Sequence, residues 1–178
     1  ILREHDVISA NFSELNKSPD EITLPVLYED ENVIVIDKPL GVLAHSKGTF
    51  NKEGTVATYI HSKLNGTTQW RQSNRAGIVH RLDRATSGVM ICAKNEDTSS
   101  FLQKQFSNRN VKKTYMAVIS GELDKTAGLI DIPIERNPKK PATFRAGING
   151  KSAQTNFEIV KTNGKHSLVQ LKPVTGRT

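Results

Sequence analysis

The sequence predicts an α+β domain: a mixed, mainly antiparallel β-sheet with flanking helices and loops. Three observations lead there. Short β-branched or alternating runs recur along the chain, few segments carry apolar residues at helical spacing, and the two kinds do not alternate as regular βαβ units. Residues 1–23 are polar, and Asn11 to Asp20 has the composition of a linker around Ser18-Pro19. Val33-Ile34-Val35-Ile36 is a β-branched run that predicts a strand buried on both faces, ended by the turn residues Lys38-Pro39-Leu40-Gly41. Thr55 to Leu64 spaces Val56, Ile60 and Leu64 as one helix face, with Gly66 as a stop beyond it. Gly88 to Ala93 predicts a second buried strand. Asp97 to Phe106 predicts a helix with Phe101, Leu102, Gln105 and Phe106 facing inward. Thr114 to Ile119 is a further strand, closed by Ser120-Gly121. Leu129 to Ile134, Ala153 to Val160 and Ser167 to Leu171 add three more, several with alternating polarity. No internal repeat or low-complexity tract interrupts this order.

A chain of 178 residues fits one domain with a substantial core. Its formal net charge of +7 points to a polyanionic partner, nucleic acid ahead of an anionic membrane surface. The single cysteine, Cys92, lies in an apolar run; it excludes an internal disulfide and suits a buried thiol in a reducing cytoplasm. No apolar stretch approaches the length of a membrane span. Ile1-Leu2-Arg3-Glu4-His5-Asp6 is not a signal peptide and has no starting methionine, so the chain is expected to begin inside a longer protein. The five histidines, at positions 5, 45, 61, 80 and 166, form no metal-ligand spacing, and no metal is expected.

The chemistry concentrates in His80-Arg81-Leu82-Asp83-Arg84-Ala85-Thr86-Ser87-Gly88. Positive charge on both sides of Asp83 favours its ionised form. Such a carboxylate is a poor general acid but can serve as nucleophile or weak base on an anionic substrate. The same string is also compatible with a plain turn, in which Asp83 pairs with a flanking arginine and Thr86 or Ser87 caps local structure.

The string resembles the catalytic motif of pseudouridine synthases, most closely the RluA branch, whose pattern HRLDxxTSG runs into an apolar strand ending in Ala-Lys. That continuation here is Val89-Met90-Ile91-Cys92-Ala93-Lys94-Asn95. Upstream, Leu27 to Pro39 with Gly41 resembles the family's first core strand and its Lys-Pro-x-Gly turn. Downstream, Lys113-Thr114-Tyr115-Met116-Ala117-Val118 resembles its tyrosine motif. Thr175-Gly176-Arg177-Thr178 resembles the start of its GRTHQ(I/L)R motif, cut off by the chain end. The likeness covers residues 24–178 with the motifs in family order. His80 and Ala93-Lys94 favour the RluA branch over the sister RsuA branch.

The resemblance implies a pseudouridine synthase catalytic domain at 24–178, incomplete at its C-terminal end, with 1–23 a linker or the tail of an S4-like domain upstream. It implies isomerisation of specific uridines to pseudouridine in structured RNA, with large-subunit ribosomal RNA the first choice and tRNA the second, without cofactor or metal; a cytoplasmic monomer is expected, since nothing in the sequence suggests an obligate assembly. Asp83 is implied as the catalytic carboxylate at C1′ or C2′, Arg177 as its guanidinium partner and Tyr115 as the group against the base. Arg81 is the candidate for filling the stack left by the flipped nucleotide, and His80 for shaping the same wall. Arg84, Lys112, Lys113, Lys139 and Lys140 are candidate RNA contacts. The basic clusters extend to Arg71 and Arg75, to Arg109, and to Arg136 and Arg145 in a Pro-containing loop. The competing expectation is an RNA-binding module without catalysis. A glycosidase is excluded because the motif offers one Asp and no acid partner.

Overall fold

The computed structural model describes residues 3, 6, 7, 9, 20–46, 52–64, 75 and 77–176. The chain forms two compact units, Ile1–Phe106 and Ser107–Thr178.

In the first unit, β1 (Val26–Glu29), β2 (Val33–Lys38) and β3 (Gly88–Ala93) form an antiparallel sheet in that order. Register places Ile34 opposite Cys92 and Ile36 opposite Met90, and all four are essentially inaccessible to solvent. Neither β2 nor β3 is buried on both faces, contrary to the sequence expectation. Val33 and Val35 are half-buried, Asp37 is exposed and Val89 is 61 % exposed. β-branched content favours a pleated surface but does not say whether its second face is covered. Asp30 makes the β1–β2 turn: its Oδ1 accepts the N–H groups of Asn32 and Val33, both at 2.7 Å. The Lys94 ammonium donates to Asp30 O (2.6 Å) and Glu29 Oε1 (2.9 Å), tying the end of β3 to that turn.

Helix α1 (Val56–Lys63) starts at Thr55 with a reciprocal cap. Thr55 Oγ1 accepts from the Thr58 N–H, and Thr58 Oγ1 accepts from the Thr55 N–H. The helix's free N–H groups at Val56 and Ala57 donate to Leu43 O and Ala44 O, at 2.9 and 3.0 Å. Val56, Ile60 and Leu64 are buried, as their spacing predicts, and Tyr59 joins them; Gly66 lies outside the described residues. Ile34, Ile36, Val56, Ile60 and Met90 are fully buried, and at about 1.5–3 kcal/mol each they supply on the order of 10 kcal/mol of hydrophobic stabilisation. Gly77 adopts a positive φ of 67°, and a Cβ there would run into Ala93 O and the Ile60 side chain. Only glycine lets that segment lie against β3, where Ala93 N donates to Gly77 O.

Helix α2 (Glu96–Ser107) begins beside Asn95, whose Oδ1 accepts from the Thr98 N–H at 2.9 Å. Leu102, Gln105 and Phe106 are half-buried. Phe101 departs from its expected inward place and is 59 % exposed. It sits about 100° round the helix from Leu102, past the edge of the covered stripe.

In the second unit β4 (Tyr115–Ser120), β9 (His166–Pro173), β8 (Gln154–Thr162) and β5 (Ala127–Asp131) form an antiparallel sheet in that spatial order. The strand expected over Leu129 to Ile134 divides. β5 stops at Asp131, Pro133 has no N–H to donate, and β6 (Ile134–Arg136) resumes as half of a separate hairpin with β7 (Phe144–Ala146). The Pro-containing loop expected there is therefore a built hairpin, with Lys139 and Lys140 exposed at its tip.

Two outcomes follow from these contacts. Thr55→Ala is expected to cost about 1–2 kcal/mol of unfolding free energy in urea titrations, the worth of a threonine cap. Hydrogen bonds from Val33 and Asn32, then from the Tyr28 hydroxyl, hold the Asp30 carboxyl below its ordinary 3.8. A depressed carboxylate adds stability above its unfolded value and loses it as pH falls through the folded one. Asp30→Asn should therefore melt lower than the parent at neutral pH and show a shallower loss of stability as the pH drops below 3.8. Parallel acid profiles for the two proteins would remove this role from Asp30.

Candidate active site

The motif 80–88 forms the connection into β3. Leu82 is buried, whereas Arg81 and Asp83 on either side of it are exposed, so one apolar anchor presents both charged side chains to solvent. Thr86 N donates to Asp83 O at 3.0 Å and turns the chain immediately after the carboxylate. Arg81 Nη2 stands 3.8 Å from Asp83 Oδ1, with the Asp83 side chain 63 % exposed. This is an open ion pair of small energetic weight, and it leaves the carboxylate accessible to a ligand.

Arg84 points elsewhere. Its guanidinium grips the Glu53 carboxylate at 2.5 and 2.8 Å and donates to Gly41 O at 3.2 Å, while Gly41 N donates to Arg84 O at 2.8 Å. Arg84 thus clasps the motif to the β2–α1 loop, and Gly41 permits the turn with a φ of 89°. Hydrogen bonding to this guanidinium holds the Glu53 carboxyl below the usual range. Beneath the loop lies Lys38, with no exposed surface, donating to Val42 O (2.8 Å) and Pro39 O (3.1 Å). Burial lowers its pKa, the Asp83 charge opposes that shift, and Arg84 adds to it.

His80 is held from two sides. Its Nε2 accepts the Ile91 N–H at 3.1 Å, and its ring stacks on Phe106 with centroids 4.4 Å apart. The imidazole is thereby a fixed wall beside Asp83 in sequence. His45 carries a buried Nδ1 without a hydrogen-bond partner among the described residues. Burial first, then Arg75 and Arg81, lower its pKa, so it is neutral at pH 7 and surrounded by positive potential. Sequence reasoning did not single out Lys38, Gly41, His45 or Glu53 as partners of the motif. The Glu53–Arg84 contact spans 31 positions, which no local pattern reveals.

In the second unit, Tyr115 opens the edge strand β4. Register sets it beside Leu171, then Phe157 and Gly128, on one sheet face. A Cβ on Gly128 would come within 2.9 Å of the Phe157 ring, so glycine makes room for that ring. Tyr115 is half-buried. Lys113, also half-buried, has its Nζ 3.7 Å from where a Cβ on Gly176 would stand, and Lys112 is exposed. Thr175 is buried and its hydroxyl accepts from Gln154 N at 2.9 Å, pinning the chain just before Gly176. Arg177 and Arg71 lie outside the described residues. No three His, Cys, Asp or Glu side chains among the described residues stand where they could hold a metal ion.

If the clasp holds the motif, Arg84→Met should speed hydrogen exchange at the Gly41 amide several-fold and leave the Leu64 amide at the end of α1 unchanged. Equal exchange at Gly41 in both proteins would show that the guanidinium does not restrain the loop.

A profile of the RNA pseudouridylate synthase family matches residues 32–178. The ribosomal large subunit pseudouridine synthase D of Borreliella burgdorferi is 39 % identical over 181 residues, covering 100 % of this chain and 55 % of that protein. An uncharacterised RNA pseudouridine synthase of Aquifex aeolicus is 34 % identical, covering 99 % of this chain and 57 % of that protein. The chain spans about half the length of these curated relatives. Among solved structures, human RNA pseudouridylate synthase domain containing 4 superposes with a TM-score of 0.66 at 26 % identity, covering 86 % of this chain and 60 % of that one. Human RNA pseudouridylate synthase domain containing 1 has the same fold, with a TM-score of 0.69 at 23 % identity, covering 90 % of this chain and 64 % of that one. The chain therefore belongs to the RNA pseudouridylate synthase family, in its RluA-type branch.

Proposed function

We propose that this chain converts specific uridines of large-subunit ribosomal RNA to pseudouridine, with Asp83 as the reacting carboxylate. The observation that carries this reading is an accessible Asp83, turned out by the buried Leu82 beside Arg81, in a chain of this family. The ribosomal choice is supported by the printed names of relatives from Borreliella burgdorferi and Xanthomonas campestris. Residues 24–178 supply catalytic-domain sequence from both compact units, with 1–23 leading into it.

The reaction breaks N1–C1′, turns the uracil and joins C5 to C1′. The proton lost from C5 balances the one gained at N1, so atoms and electrons close without a co-reactant. Asp83 either attacks C1′ or removes the C2′ proton. In this reading Tyr115 is assigned to the base, Arg177 to the role of cation for the carboxylate, and Arg81 to filling the stack that the flipped nucleotide leaves. His80 is the wall of that space. Lys112, Lys113, Lys139 and Lys140 contact phosphates. Arg84, whose donors are engaged by Glu53 and Gly41, acts mainly by holding the Asp83 loop. No helix among the described residues is long and apolar enough to cross a membrane. A monomer acting in the cytoplasm completes the proposal.

Tritium release from unmodified ribosomal RNA labelled at uracil C5 tests it. The parent chain should release tritium. Asp83→Asn should release none while its RNA affinity stays within a few fold. Turnover by Asp83→Asn would remove the carboxylate from its role. RNA binding without release by the parent would favour the non-catalytic module.

A further inference from the structure

The β6–β7 hairpin carries an aromatic side chain that its own packing does not require. Register pairs Arg136 with Phe144, and the Arg136 guanidinium lies over the Phe144 ring at 4.9 Å from its centroid. Phe144 is nevertheless 47 % exposed. The intervening pair, Glu135 and Arg145, faces the other side of the ribbon and is mutually neutralised, with Arg145 Nε and Nη2 on Glu135 Oε1 at 2.9 and 2.6 Å. Residues 136–151 contain no acidic side chain, so the exposed charge of this hairpin is the positive charge of Arg136, Lys139 and Lys140.

The tip is also built before any partner arrives. Asn137 N donates to Thr143 O, Lys140 N to Asn137 O, and Thr143 N to Lys140 O, at 2.9, 3.2 and 2.8 Å. Lys139 N donates to Asn137 Oδ1 at 3.0 Å, and Arg136 Nη1 is held by Pro141 O at 2.5 Å. Little backbone freedom remains to be lost on binding. A flat ring backed by a cation, beside two lysines on a rigid tip, matches an anionic chain that also carries flat groups. Single-stranded nucleic acid has that chemistry: bases stack on aromatic and guanidinium planes, and phosphates meet lysines.

We propose that Phe144, backed by Arg136, is a stacking platform for one unpaired base of the RNA, with Lys139 and Lys140 on the flanking phosphates. The proposal rests on the RNA substrate argued above and adds a subsite to it. The test is the Kd, over a range of salt, for a fluorescein-labelled transcript of a large-subunit ribosomal RNA stem-loop. Phe144→Leu should weaken binding roughly 5- to 150-fold, the worth of one stacked base, with an unchanged salt slope. Phe144→Trp should bind like the parent. Lys139→Ala with Lys140→Ala should instead lower the log–log salt slope by about 1.4. Binding by Phe144→Leu equal to the parent would overturn the platform and leave the RNA reading standing. Equal weakening by Leu and Trp would also overturn it, by making Phe144 a structural residue. A parent chain that ignores the transcript would overturn both, and displacement of the transcript by an acidic peptide at equal concentration would reassign the face to a protein partner.

Discussion

The loop between β2 and α1 is restrained from three directions, and the motif around Asp83 depends on it. Lys38 donates to the carbonyls of Pro39 and Val42, Arg84 to that of Gly41, and the first turn of α1 to those of Leu43 and Ala44. Ala44 is buried, and a buried carbonyl left without a partner costs about 1–3 kcal/mol. Taking the Lys38 ammonium out of water costs several kcal/mol. Two charge-assisted hydrogen bonds at about 1.5–3 kcal/mol each, with the Asp83 charge nearby, roughly offset that. The net energy is near zero, so what Lys38 contributes is geometry: it fixes the surface on which the Asp83 loop is laid.

That surface explains how the motif divides its charges. Arg84 directs its donors to Glu53 and Gly41, while Arg81 stands 3.8 Å from Asp83. The His80 ring, three residues before the carboxylate in sequence, is held in place by Ile91 N and Phe106. Arg75 and Arg81 keep the surroundings positive, as their effect on the neutral His45 imidazole shows. An exposed carboxylate in a positive frame would suit the polyanionic substrate proposed above, with the cations meeting its phosphates.

Much of the fold was legible because its signals are local. The spacing of Val56, Ile60 and Leu64 places α1, and each of the three is buried. The runs around Val33, Gly88, Tyr115, Gln154 and His166 are all strands. The errors come where coverage, not period, decides. Val35 and Val89 belong to good strands whose second face is open, Phe101 falls beside a helix stripe of half-buried residues, and Pro133 divides one apolar run between two sheets. The hairpin of residues 134–146 escaped notice because its strands are three residues long and its tip is rich in proline and lysine.

By itself the sequence determined the two helices and most of the strands, the basic character of the chain and the residue types in the Asp83 motif. Those follow from side-chain period, charge and adjacency, which are properties of neighbours along the chain. Only the tertiary structure decided which arginine stays with Asp83 and which leaves for Glu53, that Lys38 is buried beneath the loop, and that Phe144 stands open over Arg136. Each of these depends on pairs brought together by sheet register or loop closure, and competition among several cations for few carboxylates is settled by distance in space.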